Sequence, residues 1–323
     1  MGTLSSLPPF RIEPCFVARV WGFKDLRPWY DFVVAEGQDP VGEVWLTGDM
    51  NVVATGPHAG KRLDAVFAEA GRELLGAGAP DTASPLLVKM LFAADKLSVQ
   101  VHPDDKMAQK YGDARGKSEC WYALDAKPGS KLALGLKPGV TLDQVKAEIA
   151  DGTLEQSLHA EEIKPGEMLY VDAGTVHAIW PGAIILETQQ NCDLTYRMFD
   201  YGRPRELHVE KSLEAVRFDT RAGKIAPLEL ADRTVLIDVE YFRVERIKVA
   251  GSMTAEALRA GQTDGLCYVF AAAGAGRIEG EGFEAVELPT RSIAAIPATA
   301  ADFVVRDLGG LELIRLVPSW PWA

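Results

Sequence analysis

The sequence predicts a mainly β protein, two β units of sandwich or barrel type with a few helices on the outside of the first. Three observations predict it. Short runs such as "LLVKMLFAA", "ECWYALD", "KLALGL", "EMLYVD", "AIILETQ" and "DLTYRMF" are solidly apolar or alternate in polarity, as strands buried on one or both faces do. Pro-Gly, Asp-Gly and Ala-Lys-Pro-Gly segments separate them, and these suit tight turns. Helical periodicity is confined to a few places, and many short strands at close spacing indicate a sandwich or barrel.

Along the chain, the helices expected are "KRLDAVFAEAGRELLG" at 61–76, "DDKMAQKYG" at 104–112 and "TLDQVKAEIADG" at 141–152, the last with Thr141 as N-cap. After about residue 230 the helices are expected to stop. There "VLIDVEYFRVERIKV", "CYVFAAAGAGRIEG", "FEAVELPTRSIAAIP" and "LELIRLV" read as a second, smaller β unit. A boundary in "GKIAPLELADR" divides the chain into 1–228 and 229–323. All five histidines, at 58, 102, 159, 177 and 208, precede it, so a histidine-based metal site belongs to the first domain.

Composition narrows the function classes. The chain has 323 residues with 34 basic and 46 acidic side chains, a net charge of −12, which argues against a nucleic-acid partner held by phosphate neutralisation. No stretch reaches the roughly 18 apolar residues of a membrane span. The opening "MGTLSSLPPFRIEPCF" has no basic region followed by an apolar core, and the four cysteines are scattered without paired spacing. The expectation is a cytoplasmic protein with no membrane association, no disulfide scaffold and no obligate protein partner evident.

The residues that carry chemistry begin in "LSVQVHP" at 97–103. Gln100 and His102 stand two apart in an apolar strand and so share a face. Two buried polar side chains need a hydrogen-bonded network or a bound ion. In "IKPGEMLYVDAGTVHAIWPG" at 163–182, a glycine turn, a five-residue strand and "DAGTVH" deliver His177 to the start of the next strand. That spacing fits the second motif of the cupin β-barrel, with Asp172 where proline is usual. In "GKSECWYAL" at 116–124, Glu119 opens a strand beside a glycine turn. Gln100, His102, Glu119 and His177 are a competent set for a divalent ion such as Zn²⁺. The plainer readings are a hydrogen-bonded core histidine at 102, a surface carboxylate at 119, and exposed side chains at His58 and His159.

The stretches "KMLFAADKLSVQVHPDD", "GKSECWYAL", "DAGTVHAI" and "ILETQQNCDLTYRMFDYGR", in this order, resemble the short, bacterial type of class I mannose-6-phosphate isomerase. The segments "RVWG" and "GEVWLTGDMNVVATG" are similar to that family as well. The resemblance is dense over 85–215 and weak in the last ninety residues. It implies two cupin-type β-barrel or jelly-roll domains. Residues 1–228 would be the metal-binding catalytic one, and 229–323 a smaller degenerate one without metal. Its "IPATAADFVV" stands where a metal cupin shows a histidine. The resemblance also implies carbohydrate metabolism: a zinc enzyme interconverting mannose 6-phosphate and fructose 6-phosphate.

Carried over by position, the resemblance places one Zn²⁺ on Gln100, His102, Glu119 and His177, and catalytic side chains at Lys89, Lys117, Asp193 and Arg197. The longer relatives have a histidine where this chain has Gly116. An aldose–ketose isomerisation passes through a negatively charged cis-enediolate, which a cation stabilises. Lys89, inside "LLVKMLF", is expected to have its pKa lowered by burial and to act as the base. Its plainer reading is an edge lysine reaching water. Asp193 is a rival base or the partner that fixes Arg197. Arg197 bridges enediolate or phosphate oxygens, and Lys117, Arg203 and Lys211 are further phosphate candidates. Trp45, Trp121 and Trp180 either floor a sugar pocket or belong to the core. Two alternatives stand beside the isomerase: a non-haem Fe(II) oxygenase, since two histidines and a carboxylate also describe its facial triad, and a non-catalytic sugar-binding bicupin.

Overall fold

The computed structural model describes residues 4–261 and 265–319. The fold is mainly β, of antiparallel sheets, and it divides into two units. One unit is Phe16–Val44 with Val88–Ile225. Its larger sheet has seven strands in the order Gly223–Ile225, Met168–Val171, Glu119–Ala126, Ala183–Gln190, Leu86–Phe92, Val41–Trp45 and Cys15–Phe23. Its smaller sheet runs Tyr196–Phe199, Val99–Val101, His177–Ile179, Lys131–Leu136 and Leu158–Glu162. Leu91, Trp121, Leu134, Ile179 and Ile185 are buried in one interior cluster drawn from both sheets. On the other side of the smaller sheet, Val99, Val101 and Ala178 pack with Met107, Val145 and Ala215 of three helices.

Two of these helices were expected. Asp104 caps Asp105–Lys110 by accepting from the Met107 N–H, and Thr141 caps Leu142–Asp151 by accepting from the Gln144 N–H, each relieving a donor the first turn cannot use. The third, Val209–Ala215, spans under two turns and gave no periodic signal.

The other unit comprises the described parts of Met1–Cys15, Trp45–Leu87 and Ala226–Ala323. A single cut at 228 therefore marks only its last boundary. The strand Phe10–Ile12 pairs with Ile293–Ile296, and the expected helix at 61–76, observed as Leu63–Leu75, belongs here and not to the first domain. The Ala298 and Thr299 N–H groups donate to the Leu74 and Glu73 carbonyls, which anchors the end of that helix to the C-terminal part of the chain. His58 goes with it, so the histidines are not confined to one unit. Helices also continue past residue 230: Ala255–Arg259 forms one turn, capped by Thr254 accepting from the Ala257 N–H. Five residues are too few to show a period. Among the described residues no helix is long and apolar enough to cross a membrane.

Candidate metal centre and its pocket

Strand register gathers the site. Val99–Val101 lies between two neighbours, and Gln100 is opposite His177 on one side and Arg197 on the other, so three polar side chains stand in one lateral row. His102 follows that strand directly. In the facing sheet Glu119 sits opposite Gln189, and Trp121 opposite Glu187. The Nε2 atoms of His102 and His177 are each 3.5 Å from a different oxygen of Glu119. All three side chains are buried, with their ligating atoms within 4.8 Å of one another.

The two imidazoles are held in one tautomer. His102 Nδ1 donates to the Leu194 carbonyl at 2.8 Å and His177 Nδ1 to the Thr175 carbonyl at 2.9 Å, which leaves both Nε2 lone pairs facing inward. Burial, with Lys117 nearby, pushes His102 well below its usual pKa, and burial takes His177 down to about 4. Neutral imidazoles and a carboxylate pointing at one spot fit a divalent ion. Gln100 Nε2 is 3.1 Å from His177 Nε2, and a half-turn of its amide presents Oε1 there. Lys117 Nζ reaches Glu119 Oε2 at 2.8 Å and His102 Nε2 at 3.0 Å.

Beside the triad is a cavity of about 420 Å³. Lys89, Gln100, Lys117, Asp193 and Arg197 line it, so the structure brings these predicted residues together. The charge state expected of Lys89 is overturned. Burial alone would lower its pKa, but Glu187 and Asp193 at 3.4 Å and Glu43 at 3.8 Å outweigh burial and raise it. Lys89 is therefore an ammonium at neutral pH and no free base. It does not reach water at an edge either, being 2% exposed. Asp193 faces Lys89, while Arg197 donates from Nη1 to the Glu206 carbonyl instead.

Two predicted phosphate candidates are occupied elsewhere. Arg203 donates to the Lys96 and Asp200 carbonyls, and Lys211 lies 4.5 Å over the Tyr111 ring. Arg205 lines the cavity in their place, held by both oxygens of buried Asp200. Sequence reasoning also passed over Arg19, Trp21, Glu43 and Glu187, all on the cavity wall. For Glu43 and Glu187 a signal existed, a carboxylate inside an apolar strand run.

A family model for the catalytic domain of type I phosphomannose isomerase matches residues 10–142. A probable mannose-6-phosphate isomerase of Bacillus subtilis is 35% identical over 314 residues, covering 92% of this chain and 96% of its own. The chain belongs to the type I phosphomannose isomerases. A mannose-6-phosphate isomerase of Streptococcus mutans is 34% identical, covering 82% of this chain and 87% of its own. The crystal structure of the Bacillus subtilis mannose 6-phosphate isomerase superposes with a TM-score of 0.83 at 30% identity, over 96% of this chain and 99% of that one.

Within this phosphomannose isomerase fold, the departures noted in the sequence have local reasons. A Cβ on Gly116 would lie 2.5 Å from the Asp104 carbonyl carbon and 2.6 Å from the Pro103 oxygen, so the histidine of longer relatives has no room here. The Lys117 N–H then donates to that same Pro103 oxygen and sets the lysine's direction. Asp172 accepts from Thr175 Oγ1 and the Arg221 N–H, replacing proline's rigidity by two hydrogen bonds in the turn before His177. Trp45, Trp121 and Trp180 do not line the cavity; Trp21 does. Trp121 is fully buried and donates its indole N–H to both Glu119 (3.1 Å) and Glu187 (3.2 Å). His159 is exposed, and His58 is half-buried.

Proposed function

We propose that the chain interconverts mannose 6-phosphate and fructose 6-phosphate through a cis-enediolate, with one Zn²⁺ on Gln100, His102, Glu119 and His177. The observation that carries this reading is the buried His102–Glu119–His177 triad opening on a cationic cavity in a member of this family. When bound, the ion supplies Lewis acidity, and a single ligating carboxylate leaves it net positive charge.

The chain's own side chains do the rest. Lys117 and the Lys89 ammonium place positive charge where the enediolate develops its negative charge. Burial and the neighbouring Glu119 raise the pKa of Glu187, which makes it a stronger base than an ordinary glutamate and suits it to carry the proton between C1 and C2. Asp193, on the other side of the Lys89 ammonium, is half exposed. Arg197 and Arg205 take the phosphate, Arg205 through the edge of its guanidinium that Asp200 does not hold. This set suits an anionic sugar better than the neutral O₂ of an oxygenase.

We read the Ala226–Ala323 part as a metal-free cupin-type unit. Val269, Ile278, Leu288, Val305 and Leu313 form an apolar buried cluster there, and the buried Glu245 is paired with Arg233 and Arg315. We place the enzyme in the cytoplasm, a reading supported by four free cysteines, Cys15, Cys120, Cys192 and Cys267.

A coupled assay with mannose 6-phosphate on chelated and on zinc-restored protein tests the proposal, beside His177→Ala. Loss on chelation, recovery with zinc and near-zero activity in the variant are expected. Full turnover by His177→Ala, or by protein shown to be metal-free, refutes it.

A further inference from the structure

We propose that Arg19 is a positioning residue for Lys89, acting through Glu43. The inference rests on the reading of the cavity as an isomerase active site. Arg19 grips Glu43 with its fork: Nε donates to Oε1 and Nη2 to Oε2, both at 3.0 Å. Such a planar two-point contact fixes a carboxylate's rotation as well as its place. Glu43 is 10% exposed at its side chain, and its Oε2 stands 3.8 Å from Lys89 Nζ. That is farther than Glu187 and Asp193, each 3.4 Å from the same nitrogen. With both oxygens engaged by Arg19, Glu43 contributes charge to Lys89 without drawing it away from the other two.

The two strands are built for this contact. A Cβ on Gly22 would fall 2.2 Å from the Val41 carbonyl carbon, and one on Gly42 would fall 2.5 Å from the Trp21 ring and 2.6 Å from Arg19 Cβ. Absence of side chains at both positions lets Cys15–Phe23 lie close against Val41–Trp45, and the Arg19 N–H donates to the Pro40 carbonyl. Over that close approach the Arg19 fork reaches Glu43. Without its fork, the Glu43 oxygens turn to the nearest remaining cation, Lys89, and pull Nζ toward the cavity wall and off Glu187 and Asp193.

Arg19→Ala, Arg19→Lys, Glu43→Gln and the Arg19→Ala/Glu43→Gln double variant test this in the coupled mannose 6-phosphate assay, with bound metal counted in each. Arg19→Ala is expected to lower kcat about 100-fold with little change in KM or metal content, the size of effect a small misplacement produces. Arg19→Lys keeps the charge but not the fork and recovers only part of the rate. Guanidinium, but not sodium at equal ionic strength, restores Arg19→Ala. The double variant is no slower than Glu43→Gln alone, because Arg19 acts only through that carboxylate. If Arg19→Ala fails to fold, Arg19→Lys decides: a kcat within about two-fold of wild type overturns the proposal. Losses that multiply in the double variant overturn it as well. A wild-type chain inert toward mannose 6-phosphate instead sinks the functional reading on which it rests.

Discussion

Replacing Trp121 by Phe should weaken the metal-free protein more at neutral pH than in acid. The indole N–H is the donor shared by Glu119 and Glu187, two carboxylates buried side by side. A hydrogen bond to a charged group contributes about 1.5–3 kcal/mol. The smaller ring adds about 1 kcal/mol of lost packing at this fully buried site. Together these give a deficit of about 2.5–4 kcal/mol near neutrality. Glu187 is already harder to ionise than in the unfolded chain, because of burial and then the charge of Glu119. Stability therefore falls as pH rises above the unfolded value of 4.5 and stops falling only above the raised folded value. Removing the N–H pushes that folded value higher and extends the fall. In acid, Glu187 is protonated in both states, and the deficit shrinks to about 2 kcal/mol. Urea unfolding of the chelated protein at about pH 3.5 and about pH 7.5 measures both, and chelator competition should show metal affinity down about 10–100-fold. A deficit under about 1 kcal/mol, or one equal at the two pH values, would refute the bridging role of the indole.

Two further outcomes follow from the same packing. Burial holds His177 at about 4, against 6.5 for the free side chain, so the unfolded chain takes up a proton first and metal-free protein loses stability as pH falls from about 6.5 toward 4. The His177 share is about 3 kcal/mol, and acid unfolding curves of His177→Ala should be flatter by that amount. Gly116→Ala places a Cβ 2.5 Å from backbone atoms of Asp104 and should destabilise by about 1–3 kcal/mol while lowering activity through the displaced Lys117; thermal unfolding and turnover unchanged from wild type would contradict it.

The centre was legible in the sequence because polar side chains inside apolar strand runs are anomalies. Gln100 and His102 in "LSVQVHP" and Glu119 before "CWYAL" announced themselves that way, and the helix cap Thr141 is a local signal that the fold could only obey. Glu43 and Glu187 carried the same mark yet were overlooked inside "GEVW" and "ILETQ". Arg205 and Arg19 carried none, since charged residues at loops and edges are ordinary. The ionisation of Lys89 was not readable at all. Its sign depends on carboxylates from three other parts of the chain, and burial alone points the wrong way. Likewise nothing local in 45–87 says that it belongs with the C-terminal strands, because that membership is set by long-range contacts such as those holding Leu74 and Glu73.

The lateral row of Arg197, Gln100 and His177 makes the candidate site intolerant of length changes in one place and more tolerant in another. Adding or deleting a single residue within Val99–Val101 would swing Gln100 to the helix-covered side and bring a valine to face the His102–Glu119–His177 cluster, undoing site and core in one stroke. The stretch from Lys137 to Ser157 carries no cavity residue, and what its Leu142–Asp151 helix must keep is the face that buries Val145 and Ile149 against the smaller sheet. Length changes confined to the turns flanking that helix therefore leave the row fixed residue for residue.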